Sequence, residues 1–87
     1  MKRRNMKNEL RPLNVIAFEI ERECSGKAWY APAEAYVTPL QSLTSITDHY
    51  FADDGKSIVA YALSNLTSWR GETAKAVKAE LKLHLAS

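Results

Sequence analysis

Apolar positions recur along this chain mostly at helical spacing. Leu13, Ile16, Ala17, Ile20 and Cys24 fall on one face of a 3.6-residue period, and Gly26 follows as a stop signal. This pattern predicts a helix over Leu13–Cys24. Ile16, Phe18 and Ile20 also alternate with Ala17, Glu19 and Glu21, a strand-like reading. The helix is preferred because the glutamates resist strand formation and no later segment offers a convincing partner strand. Pro32 suits the first turn of a short helix through Ala33, Glu34 and Ala35. Thr38-Pro39-Leu40-Gln41 supplies a capping hydroxyl, a first-turn proline and a glutamine that can reach back. A helix is expected from there, burying Leu40, Leu43 and Ile46, with Tyr50 and Phe51 covering the next turn.

The remainder is the clearest part of the pattern. An aspartate of Asp53-Asp54-Gly55 can cap a helix whose face is Ile58, Ala62 and Leu66. Thr67 or Ser68 is expected to cap a last helix from about Trp69 to Leu85, with Ala74, Val77, Leu81 and Leu85 as its core stripe. Trp69 is expected to be a buried anchor between these two helices. The fold class predicted is all-α: a small compact bundle of about four helices, joined by short loops and packed as antiparallel neighbours. Residues 1–11 have no apolar period and read as a flexible basic tail; residues 12–87 read as a single helical domain. Met6 offers an alternative start.

Length and composition narrow this picture. The 87 residues suffice for one domain, which buries only about two thirds of its unfolded surface. A single cysteine, Cys24, excludes an internal disulfide and fits a reducing compartment. No apolar run approaches the roughly 20 residues of a membrane span. The Lys2-Arg3-Arg4 start resembles the basic end of a secretory signal, but the apolar stretch that follows, Val15 to Ile20, is short, contains Glu19 and has no small-residue cleavage site after it, so a cytoplasmic location is expected.

Net charge is +2, but it is unevenly spread. Residues 1–12 carry +4, residues 13–54 carry −5 and residues 55–87 carry +3. The plain reading is that the basic ends fold back on the acidic centre or that the asymmetry is chance, since charge runs are usually solvated faces; the sharper one is a basic surface for nucleic acid or an acidic protein.

Little in the chain points to covalent or metal chemistry. Cys24, His49 and His84 form no close pair, and no CxxC or HxxxH spacing occurs. Asp48, Asp53 and Asp54 do not match a calcium loop. Cys24 reads as a small buried hydrophobe and both histidines as surface or boundary residues. A Cys24–His49 nucleophile pair is conceivable, but a cysteine on an apolar helix face has its thiolate disfavoured. The three glycines are placed like turn residues rather than in a phosphate loop. No cofactor, metal or catalytic residue is assigned.

Two binding surfaces remain. Trp29, Tyr30, Tyr36, Tyr50, Phe51, Tyr61 and Trp69 are many large rings for so small a core. Trp29, Tyr30 and Tyr36, in the least readable segment, are the candidate contacts for a protein partner. Phe18, opposite Ile16 and Ile20, leaves apolar surface that a homodimer would cover. The alternative is nucleic acid. Lys75, Lys78 and Lys82 share one face of the last helix, Arg70 lies near its start, and the tail adds Arg3, Arg4, Lys7 and Arg11 beside Lys2. The last two helices also invite a helix-turn-helix reading, although Gly71 falls outside the turn and Glu72 would face phosphates.

The stretch Tyr50–Lys82, with its pieces SIVAYALSN, WRGETA and KAELK, resembles a family of small uncharacterised proteins of bacteriophages and prophages. IAFEIERE, WYAPAEAYVTPL and SITDHY carry a weaker likeness. The resemblance implies a small helical accessory protein of a bacterial cytoplasm. Together with the small size, the aromatic content and the lack of a catalytic pattern, it leads to the expectation of a non-enzymatic protein that acts by binding a protein partner. The resemblance carries over no functional residue, and the basic tail departs from it.

Overall fold

A computed structural model describes residues 10–86. Among them the chain forms four helices: α1 (Leu13–Cys24), α2 (Tyr30–Leu40), α3 (Gly55–Ser64) and α4 (Glu72–Ala86). A two-residue antiparallel ladder, β1 (His49–Tyr50) with β2 (Asp53–Asp54), lies between α2 and α3 and pairs His49 with Asp54 and Tyr50 with Asp53. The architecture is all-α apart from that hairpin.

α1 forms because its apolar period is complete: Leu13, Ile16, Ala17, Ile20 and Cys24 are all fully buried. The strand alternative for this segment is not realised, and Phe18, which alternation would bury, is exposed. No side chain caps α1. Its first N–H groups are satisfied from elsewhere, most notably Leu13 N–H donating to the Thr44 carbonyl at 2.9 Å.

The α2 segment corrects the sequence reading. Thr38-Pro39 does not open a helix; it closes one. A helix begun at Tyr30, with Pro32 in its first turn, places Tyr30, Ala33, Val37 and Leu40 on one buried stripe. That burial outweighs the local preference of proline for a first turn. Pro39 has no N–H to bond back along the helix, and α2 ends one residue later. Leu43 is buried and Ile46 half-buried as expected, but from a loop rather than a helix.

That loop is organised by Asp48. Its carboxylate accepts from Thr44 N–H at 2.8 Å, the Thr44 hydroxyl at 2.7 Å and Ser45 N–H at 3.2 Å. The Thr44 bonds hold the Asp48 carboxyl below the usual carboxylate range. The Asp48 carbonyl accepts from Gly55 N–H at 2.7 Å, bringing the loop against the start of α3. A Cβ on Gly55 would meet the Ser45 carbonyl oxygen at 2.9 Å and the Ile46 Cα at 3.0 Å, so only glycine permits this approach. Of the two candidate aspartates it is Asp54 that caps α3, accepting from Ser57 N–H at 2.7 Å.

The last helix starts later than its pattern suggests. Gly71 has φ +112°, which a right-handed helix cannot include, and α4 begins after it at Glu72 rather than near Trp69. Thr67 and Ser68 lie in a turn. Trp69 is buried, as expected of an anchor, and the core stripe is Ala74, Val77, Leu81 and His84, with Leu85 only half-buried. His84 is therefore a core residue, 5% exposed, and not a surface one.

Its partner explains why. His84 Nε2 donates to the Arg11 carbonyl at 2.7 Å. The Arg11 N–H donates to Glu80 at 3.2 Å, and its guanidinium donates to both Glu80 oxygens, at 2.7 Å to Oε1 and 2.9 Å to Oε2. Arg11 Nη2 also pairs with Glu19 at 2.8 Å. Arg11 is thus part of the folded domain rather than of a tail. Burial works against the Glu80 carboxylate, but the Arg11 bonds outweigh it and hold its pKa below the usual range. The stabilisation is then complete at neutral pH and is lost as pH falls through the depressed folded value. Replacing Glu80 by Gln should cost about 1–3 kcal/mol at neutral pH. It should also flatten the acid-side fall in stability, read from urea unfolding at neutral and acidic pH; an unchanged slope would remove Glu80 from that role.

Candidate functional site

α4 carries two polar faces. Glu80 and His84 point towards Arg11. At 100° per residue, Lys75, Lys78 and Lys82 lie on roughly the opposite side. Here they meet Arg70 from the α3–α4 connection around an open groove of about 410 Å³. Trp69, Gly71, Ala74 and Ala79 complete its lining, and no carboxylate contributes to it. The Lys78 ammonium is fixed, donating to the Trp69 carbonyl at 2.6 Å. That bond leaves its charge uncompensated. Glu72 sits in the first turn of α4, outside the lining, where the helix dipole favours an acid.

The charge asymmetry of the sequence thus resolves into two cases. Arg11 does fold back on acids, Glu19 and Glu80. Arg70 and the α4 lysines do not: among the described residues none of them forms an ion pair. Of the residues predicted for nucleic acid, Arg70, Lys75, Lys78 and Lys82 are brought together, and Arg11 is consumed by the clamp. Arg3, Arg4 and Lys7, with Lys2, lie outside the described residues.

The aromatic set is divided instead. Tyr30 was expected to be accessible, but it is 2% exposed. Its hydroxyl donates to Glu21 at 2.8 Å, and burial, then that bond, push its pKa up. Trp29 packs edge-on against Tyr30, with ring centroids 6.2 Å apart, and is half-buried. Tyr36, also half-buried, pairs with Tyr61 at 5.3 Å and a 34° tilt. These two rings line a second groove, of about 430 Å³, with Pro39, Ile58, Ser57 and Asp53. Tyr61 and Asp53 were absent from the predicted contacts. Tyr61 follows Ile58 by three residues, and that boundary spacing, combined with α2 and α3 as neighbours, was the available signal.

The remaining chemistry is quiet. Cys24 has no exposed surface, and burial, with the Glu23 charge behind it, pushes its thiol up to about 11. His49 is exposed on the hairpin. Among the described residues no group of three or more His, Cys, Asp or Glu side chains is placed to hold a metal ion. No helix among them is long and apolar enough to cross a membrane.

No protein-family model, curated protein or solved structure matches this chain.

The Cys24 environment is directly measurable. At pH 8 a thiol near 11 holds about 100-fold less thiolate than an exposed one near 9. Labelling of the native protein by a small thiol reagent should be slower than that of the urea-unfolded chain by at least that factor. Equal rates would place the thiol at the surface.

Proposed function

We propose that the protein is a small non-enzymatic accessory protein that works by binding, and that its principal contact is the phosphate backbone of a nucleic acid along the α4 groove. The observation that supports this is the convergence of Arg70, Lys75, Lys78 and Lys82 on one concave surface without a carboxylate. A cationic concavity concentrates its field and gains by releasing the counterions of neutralised phosphates. Lys2, Arg3, Arg4 and Lys7 would add to the same effect. The resemblance of residues 50–82 to phage and prophage proteins is consistent with an accessory role in a bacterial cytoplasm.

Each phosphate neutralised on duplex DNA contributes about −0.9 to the slope of log affinity against log salt. Four groove cations therefore correspond to a slope of about −3 to −4. Fluorescence anisotropy with labelled duplex and single-stranded DNA, between about 50 and 200 mM salt, reads this directly. The double change Lys75→Glu and Lys82→Glu should abolish binding. No binding at low salt rejects the reading, and salt-independent binding rejects the phosphate mechanism.

A second reading, binding of a protein partner, is favoured by the Tyr36–Tyr61 groove, where Tyr61 stays 56% exposed. A homodimer would use another surface. Val15 and Phe18, 43% and 54% exposed on α1, form an apolar strip that a second copy would cover. Light scattering at low and high protein concentration should then show twice the chain mass, and a single-chain mass at both would remove the dimer.

A further inference from the structure

Between the C-terminal end of α2 and the first turns of α3 the surface is apolar at its floor and acidic at one end. Pro39 and Ile58 form the floor, and the paired Tyr36 and Tyr61 rings form a wall. Asp53 stands at the hairpin end, and its position in the acidic part of the chain matters. The acids around it are already engaged. Asp54 caps α3, and Asp48 holds the loop that precedes the hairpin. Asp53 differs: among the described residues no donor bonds its carboxylate and no cation pairs with it.

We infer that this groove takes an arginine side chain presented by a protein partner. The inference rests on the protein-partner reading and gives that partner its chemistry. A guanidinium is planar and weakly hydrated, so it lies flat on a tyrosine ring, where the ring quadrupole attracts it. The same group carries N–H donors in a fixed fork that fits a carboxylate. The groove offers both features side by side, a ring pair more than half open at Tyr61 and an unpaired carboxylate at Asp53. An apolar side chain would leave Asp53 unused. A lysine ammonium would meet the charge but could not stack, and it would give up a tighter hydration shell to enter. Asp53 is the one charged residue of the groove lining, which favours a basic segment over an acidic one. The α4 groove, lined by four cations, repels such a segment, so the two surfaces select partners of opposite charge.

The test is an NMR titration of the full chain with the peptide acetyl-Gly-Arg-Gly-amide and its citrulline twin, which keeps the shape and loses the charge. The arginine peptide should shift the signals of Tyr36, Asp53 and Tyr61 saturably. The citrulline peptide should bind about tenfold more weakly or worse. The Asp53→Asn variant, an exposed change checked by its circular dichroism spectrum, should narrow the difference between the two peptides to what stacking on the rings alone supplies, and an undiminished difference overturns the role of Asp53. Equal binding of both peptides by the unaltered protein overturns the arginine assignment but leaves the groove as a peptide site. No response in the groove to either peptide overturns both the assignment and the protein-partner reading of this surface.

Discussion

Arg11 closes this fold. Its N–H, its carbonyl and its guanidinium are all bonded to α4 or α1, and two of its partners, Glu80 and His84, stand one helical turn apart. A chain of this size has no disulfide to join its ends, so the junction between the start of α1 and the last helix needs another restraint. A bidentate arginine–carboxylate pair flanked by two backbone bonds is directional, which apolar burial is not. It fixes the rotation of α4 as well as its position. With Glu80 and His84 turned towards Arg11, and Ala74, Val77 and Leu81 in the core, Lys75, Lys78 and Lys82 must face the α3–α4 connection. The cationic groove is a consequence of that restraint together with Gly71, which lets Arg70 approach from the loop.

The use of charge follows a division of labour. Most of the identifiable carboxylate contacts serve the fold: Glu19 and Glu80 hold Arg11, Glu21 accepts from Tyr30, Asp48 organises a loop and Asp54 caps α3. The cations of the groove have no such employment, since Lys78 alone bonds the protein there, through a carbonyl. Four unneutralised positive charges around one concavity repel one another and lower the stability of a marginal domain. Solvation reduces that cost without removing it.

Much of the fold was legible because local signals and burial agree. The α1 stripe and its bounds, an aspartate cap on α3 and the buried Trp69 follow from spacing and capping alone. The departures arise where one residue type serves two local roles. Proline is accepted in a first turn, and it also ends a helix that long-range burial has extended, so Thr38-Pro39 was ambiguous until Tyr30, Val37 and Leu40 were seen to share a face. Gly71 reads as a turn or cap residue, but only its φ shows that the last helix must begin after it. The Arg11 clamp spans 69 residues, and no periodicity encodes a contact of that range. Tyr30 left the candidate surface for the same reason, since its tie to Glu21 and its place in the core belong to tertiary structure.

The candidate sites were legible unequally, and the difference is physical. A lysine stripe at spacings of three and four is fixed by one helix, so the sequence already groups it. A groove between two helices and a hairpin is not: Tyr36, Asp53 and Tyr61 come from three elements, and only packing brings them together. The two grooves share no residue and carry opposite character, one cationic on α4 and one aromatic and acidic between α2 and α3. Occupation of one therefore does not consume the other's groups.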